Sequence, residues 1–131
     1  MKNFGTDVGA VASTVSHDSH NLTIVYFDPK DAAVAANELI AVGGGMTAVK
    51  DGKVLNTLRL EVAGLMTKLD AEELTVEAAK MKEIERGMGL TVPVNPLLRI
   101  VSLALPVIPS VKMSDLGMVR VADQTMIPLF A

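Results

Sequence analysis

Turn and cap signals divide this chain into alternating strands and helices, and that alternation limits its folds more than any other feature. Gly9 to Ser16 and Leu22 to Phe27 read as strands flanking a polar turn, "HDSHN". Asp28-Pro29 then opens a helix, because Asp accepts from free N-terminal amides and Pro suits the first turn. Ala32, Ala35, Ala36 and Leu39 follow helical spacing, and Gly43 to Gly45 stop the helix. Met46 to Lys50 and Lys53 to Leu60 are strands joined by Asp51-Gly52, a strong hairpin signal. A second helix starts at Asp70, which forms a capping box with Glu73. Leu74, Ala78, Met81, Ile84 and Met88 make its apolar stripe, and Gly87 and Gly89 mark its end. Asn95-Pro96 opens a third apolar helical segment, Leu97 to Leu105, closed by the prolines of "PVIP". The tail "GMVRVADQTMIPLF" reads as a short strand and a terminal extended piece. Neither repeats nor an internal linker interrupt the pattern. The expected fold is α/β or α+β, a single domain over residues 1–131 with helices packed on a mixed β-sheet.

Filling that core falls to small and flexible side chains. Half of the 131 residues are apolar but only 3% are aromatic, so Val, Leu, Ala and eight Met must do the packing. Met suits irregular gaps and adaptable surfaces, and a small domain cannot hide all of its apolar surface. The composition therefore predicts self-association or an exposed docking face, with Leu97 to Ile108 as the most apolar candidate. The net charge is −3, and no Lys/Arg cluster offers a patch for phosphate backbones, which argues against nucleic acid. The absence of cysteine excludes disulfides, thiolate metal sites and cysteine nucleophiles, and fits a reducing cytoplasm. "MKNFGTDVGA" has no apolar core of a signal peptide. The Leu97–Ile108 run is interrupted by Pro106 and too short to span a bilayer, so no membrane association is expected.

The best chemical candidate is the turn that holds both histidines. His17, Asp18 and His20 place two imidazoles and a carboxylate within four residues, a set able to hold a metal, move a proton or read a purine edge. Against this stands a plain polar hairpin tip, in which Asp18 and Ser19 cap the turn and the histidines sit in solvent. A His-x-x-His pair alone is a weak metal signature, and no further histidine exists to complete it. "VGGGM" lacks both the spacing and the following helix of a phosphate loop; a helix C-cap and a close backbone approach explain it better. The charged residues from Glu72 to Arg86 read as a solvated helix face.

Taken in order, the motifs are familiar. "GAVASTVSHDSHN", "AANELIAVGGGMTAVKDGKVLNTLRLEVAGLM", "SLALPVIPSVKMSDLGMVRV" and the final "IPLF" resemble the C-terminal domain of bacterial adenine deaminase, from about Phe4 to Phe130. Tyr26-Phe27 is bulkier than that pattern, and the Thr91 to Pro96 loop is shorter. The resemblance implies an enzyme of the amidohydrolase superfamily, which hydrolyses adenine to hypoxanthine and ammonia for purine salvage. It also implies manganese or iron held in a TIM-type barrel, where metal makes hydroxide from water at neutral pH. Such a barrel needs ~250 residues, and the superfamily's His-x-His metal motif is missing, so the catalytic barrel is expected to lie outside this chain and no metal within it. The expected partners are a barrel domain or subunit, adenine as substrate, and a second copy of the chain. By itself the domain is expected to be inactive. The implied role for the turn is to reach the barrel mouth, with His17, Asp18 and His20 contacting substrate and Ser19 and Asn21 shaping the turn. The competing expectations are a freestanding purine- or protein-binding module without catalysis, and a small metalloenzyme built on "HDSHN".

Overall fold

The structure, a computed structural model, describes residues 4–17, 20–91 and 95–130. Seven strands and three helices follow one another as β1 (Ala10–Ser13), β2 (Thr23–Tyr26), α1 (Pro29–Val42), β3 (Gly45–Lys50), β4 (Lys53–Arg59), α2 (Ala71–Gly87), α3 (Pro96–Val101), β5 (Val111–Ser114), β6 (Gly117–Arg120) and β7 (Thr125–Ile127). The first four strands form one sheet in the order β2-β1-β3-β4, and the last three form a second, β5-β6-β7. The mixed α and β architecture is as the sequence indicates.

The expected mixed sheet is corrected in one respect: every neighbouring pair of strands runs antiparallel. Because β2 and β3 are both antiparallel to β1, they run parallel to each other without pairing. Helix α1 supplies the crossover between them, which local sequence signals cannot distinguish from a parallel βαβ unit.

Period-two alternation sorts the core into two layers. Ala10 and Ala12 of β1, with Val49 of β3, face Ala35 and Leu39 of α1. Val11, Met46, Ala48 and Leu58 face the opposite way, into a larger cluster with Met81 and Met88, Leu97, Ile100 and Val101. Alanine on both sides of the first layer lets α1 sit close on the sheet, while methionines fill the uneven space under α2 and α3. Phe4 closes this second layer, with the Arg99 guanidinium 5.4 Å from its ring centroid.

The helix ends follow the expected chemistry. Asp28 accepts from the Lys30 amide at 2.8 Å, with Pro29 opening the helix. Asp70 accepts from the amides of Glu72 and Glu73, and Glu73 accepts in return from the Asp70 amide. The Asp51-Gly52 hairpin also forms, with positive φ at both residues, as a tight primed turn requires. The Asp31 carboxylate, buried in the first turn of α1, accepts from the Asp51 and Gly52 amides at 3.2 and 2.7 Å. It ties that distant hairpin to the helix.

Three expectations need correction. The third helix ends at Val101, followed by i→i+3 turns at Ile100–Leu103 and Ser102–Leu105. Pro106 disfavours helical geometry at Leu105, so the apolar run could not stay helical to that point. The tail holds Gly117–Arg120 and Thr125–Ile127, matching the short strand and extended piece, but Val111–Ser114, where no strand is expected, pairs with Gly117–Arg120 and completes a three-stranded sheet. Strands of three or four residues are too short to show alternation. The first two strands are also shorter than read, because the polar turn takes residues from both. The Leu97–Ile108 run is divided: Leu97, Ile100 and Val101 are core, whereas Leu98 and Val107 are exposed. Other large apolar side chains lie exposed across the surface, including Phe27, Ile40, Leu116 and Phe130. The loop judged short includes residues 92–94, which lie outside the described residues.

Candidate functional site

The histidine turn projects from the end of the four-stranded sheet where β1 passes to β2. Two backbone bonds mount it: the His17 amide donates to the Val101 carbonyl at 3.1 Å, and the His20 amide donates to the Ser16 carbonyl at 2.6 Å. Beneath them, the fully buried Ser16 hydroxyl lies 2.7 Å from that of Thr23, joining the two strands. His20 takes a left-handed conformation with φ +52°, which redirects the chain into β2. His17 is thus tied to α3 and His20 to Ser16 at the base of the turn, so both histidines stand on hydrogen-bonded backbone.

Both imidazoles are exposed, and their ring centroids lie 5.3 Å apart at an interplanar angle of 55°. Close, tilted and reachable from solvent, they can present ring nitrogens to one flat polar ligand. Asn21 is exposed beside them. Asp18 and Ser19 lie outside the described residues. Among the described residues, no three His, Cys, Asp or Glu side chains group so as to hold a metal ion.

His20 also walls a cleft of about 340 Å³, with Leu22 beside it and Ile40, Gly43, Gly44 and Gly64 across from it. Its floor is where three distant segments meet. The Thr14 hydroxyl donates to the Gly64 carbonyl at 2.6 Å and accepts from the Gly45 amide at 2.8 Å. Gly43 ends α1 with φ +82°, as a C-cap requires, while the Gly44 amide returns to the Leu39 carbonyl. A Cβ on Gly44 would stand 2.5 Å from the Gly64 Cα, so the backbones approach this closely only because residue 44 is glycine, while a Cβ on Gly64 would press on the Thr14 side chain at 3.1 Å. The sequence signals for this floor are the glycine triplet and Ala63-Gly64, but nothing local shows that they meet each other or Thr14.

Elsewhere, a titratable group besides Asp31 lies buried. Glu85 of α2 is 3% exposed, its Oε2 is buried without a hydrogen-bond partner, and burial pushes its carboxyl up to about 7. It had read as one of the solvated charges of that helix. At the surface, Arg120 makes a double contact with Asp123 at the turn after β6, holding the Asp123 carboxyl well below the usual carboxylate range. Neither group lies near the histidine turn in sequence. No helix among the described residues is long and apolar enough to cross a membrane.

Comparison with known proteins agrees with the order of motifs. The family described as adenine deaminase C-terminal domain matches residues 1–125. Adenine deaminase 2 of Carboxydothermus hydrogenoformans is 42% identical over 125 residues, covering 95% of this chain and 22% of that protein. The adenine deaminase of Clostridium acetobutylicum is 40% identical, over 94% of this chain and 22% of its own length. That of Methylobacterium nodulans is 45% identical, over 92% and 21%. The chain thus spans about a fifth of the length of these curated relatives. With identity of this level from end to end, confined to one small part of each relative, the chain belongs to the adenine deaminase C-terminal domain family.

Proposed function

We propose that this chain acts as the accessory domain of a cytoplasmic adenine deaminase, supporting or completing an active site that another domain or subunit supplies. The observation that carries this reading is the match of nearly the whole chain to only 22% of full-length adenine deaminases. The reaction is addition of water to adenine with release of hypoxanthine and ammonia. The manganese or iron implied by the resemblance belongs with the catalytic portion. The described residues here do not group into a site for it.

Within this reading, the histidine turn reaches the mouth of the barrel, and His17, Asp18 and His20 touch substrate. Support comes from the mounting of the turn and from the exposed imidazole pair. Adenine offers ring nitrogens and an amino group, to which neutral imidazole and carboxylate are matched acceptors and donors. Barrel active sites open on a face built of loops, which a neighbouring domain can cover.

The test uses a full-length enzyme in which this chain replaces the matching part of the Carboxydothermus relative. Substituting His20→Ala or Asp18→Asn should lower kcat or raise KM while the melting temperature stays put. Unchanged kinetics and melting in both would leave the turn a structural hairpin. The free chain, incubated with adenine and manganese and followed in the ultraviolet, should show no turnover; rapid turnover would refute its dependence on another domain. The cleft beside His20 favours a second reading, a freestanding purine-binding module. Calorimetry of the free chain with adenine and hypoxanthine separates the two, because a domain that only docks releases no heat with either.

A further inference from the structure

Among the described residues, each of the two sheets ends on a strand whose outer edge has no partner strand, and these two edges share one cleft. The four-stranded sheet ends on β2, the three-stranded sheet on β5. Residues Asn21 to Val25 line one side of a cleft of about 590 Å³, and Met113 to Asp115 line another, with Leu103 and Ala104 between.

Hydrogen-bond parity shows which backbone groups turn away from the neighbouring strand. The Phe27 amide donates to the Gly9 carbonyl, so Thr23 and Val25, in step with Phe27, turn toward β1. The amides and carbonyls of Leu22, Ile24 and Tyr26 therefore point outward. In the second sheet the Val121 amide donates to the Ser110 carbonyl, so Lys112 and Ser114 face β6. Val111 and Met113 then present their backbone groups outward.

Natural sheets blunt such edges with charge, proline or bulges. The opposite edge of the first sheet does so: β4 carries Lys53 and Arg59, and its pairing is shifted at Ala48/Val49. β2 does not. From Asn21 to Phe27 it has neither charge nor proline, its register with β1 is unbroken, and Tyr26 and Phe27 are exposed at 54% and 71%. An uncharged, β-branched edge of this kind is suited to pairing with another strand.

We infer that an extended segment of the catalytic portion of adenine deaminase inserts between β2 and β5, pairs with both, and joins the two sheets into one. This rests on the function proposed above. The relatives supply the occupant, since most of their length lies outside the matching part. The geometry supplies the approach. Phe4 packs in the cluster that also holds Ile100, Val101 and Leu103, and Leu103 is a wall of the cleft. In the relatives, whatever precedes the residue matching Phe4 therefore leaves from a cluster that also backs a wall of the cleft. The fitting segment is a short strand, uncharged where it passes Val25, Leu103 and Met113, with a Lys or Arg beside the exposed Asp115.

Hydrogen exchange tests this by comparing the free chain with the same chain replacing its counterpart in the Carboxydothermus enzyme. The outward amides of Leu22, Ile24, Tyr26, Val111 and Met113 should exchange roughly a hundredfold or more slowly in the full-length protein, because strand pairing raises them from freely exposed to locally protected. Tyr26→Pro removes one outward donor and no bond to β1. It should cut protection at Ile24 and Met113 by about tenfold or more while β1 and β3 exchange as before. If the fusion does not fold, the same measurement on the unaltered Carboxydothermus enzyme reads the strand matching β2. Fast exchange at these amides in a protein whose other surfaces become protected would overturn strand insertion and leave the accessory role standing. A domain equally unprotected in both forms, and dispensable for deamination, would overturn the accessory role and the inference with it. Protection that appears in the free chain as its concentration rises would assign the edge to a second copy and also overturn the inference.

Discussion

Replacing Glu85 with glutamine should stabilise the domain at neutral pH and leave it nearly unchanged in mild acid. The residue is 3% exposed, its Oε2 lacks a partner, and burial raises the carboxyl pKa from 4.5 to about 7. Between those values the unfolded chain releases the proton while the folded chain still holds it. The folded state binds more protons there, so stability falls as pH rises through this window and levels off above it. At 1.36 kcal/mol per unit, the full loss is roughly 3 kcal/mol above pH 7. Glutamine keeps the shape and cannot ionise, so Glu85→Gln should gain about that much at pH 8 and within ~1 kcal/mol of nothing at pH 4.5. For a domain of this size the gain corresponds to a rise in Tm on the order of 10 °C. Thermal melts of both proteins from pH 4.5 to 8 provide the measurement, and the difference between them cancels the two histidines. Parallel Tm curves across that range would refute the reasoning, by showing that the Glu85 carboxylate is solvated in the folded protein.

Three other perturbations follow from contacts already described. Asp31→Ala strands the Asp51 and Gly52 amides and should cost about 2 kcal/mol, read as a lower urea midpoint at an unchanged m-value. Gly44→Ala sets a Cβ against the Gly64 backbone at φ +113°, and should cost more than ~2 kcal/mol by the same assay. A variant as stable as wild type would mean that the cleft floor is looser than described. Asp70→Ala removes the capping box of α2 and should lower stability by about 1 kcal/mol, with faster amide exchange confined to the first turn of that helix.

What the sequence determined by itself is what neighbours along the chain can settle. Asp28-Pro29 and Asp70 with Glu73 satisfy backbone groups within a few residues, and Asp51-Gly52 adopts the positive φ that its turn requires, so the caps and turn form as read. The 3.6-residue spacing likewise placed Leu74, Ala78, Met81, Ile84 and Met88 in the core. The histidine turn was legible as a candidate because both imidazoles stand within four residues of each other. Its surroundings were not: Thr14, Gly44 and Gly64 make one floor from three segments, and only the packed chain brings them together. Glu85 was misplaced for a related reason, since its charge marks a solvated face while its position on α2 turns it inward. Tertiary structure alone decided the strand order β2-β1-β3-β4, the antiparallel directions and the short sheet of the tail. Those depend on which apolar faces and which free amides find each other across the fold, and pairing between distant strands leaves no mark at short range in the sequence.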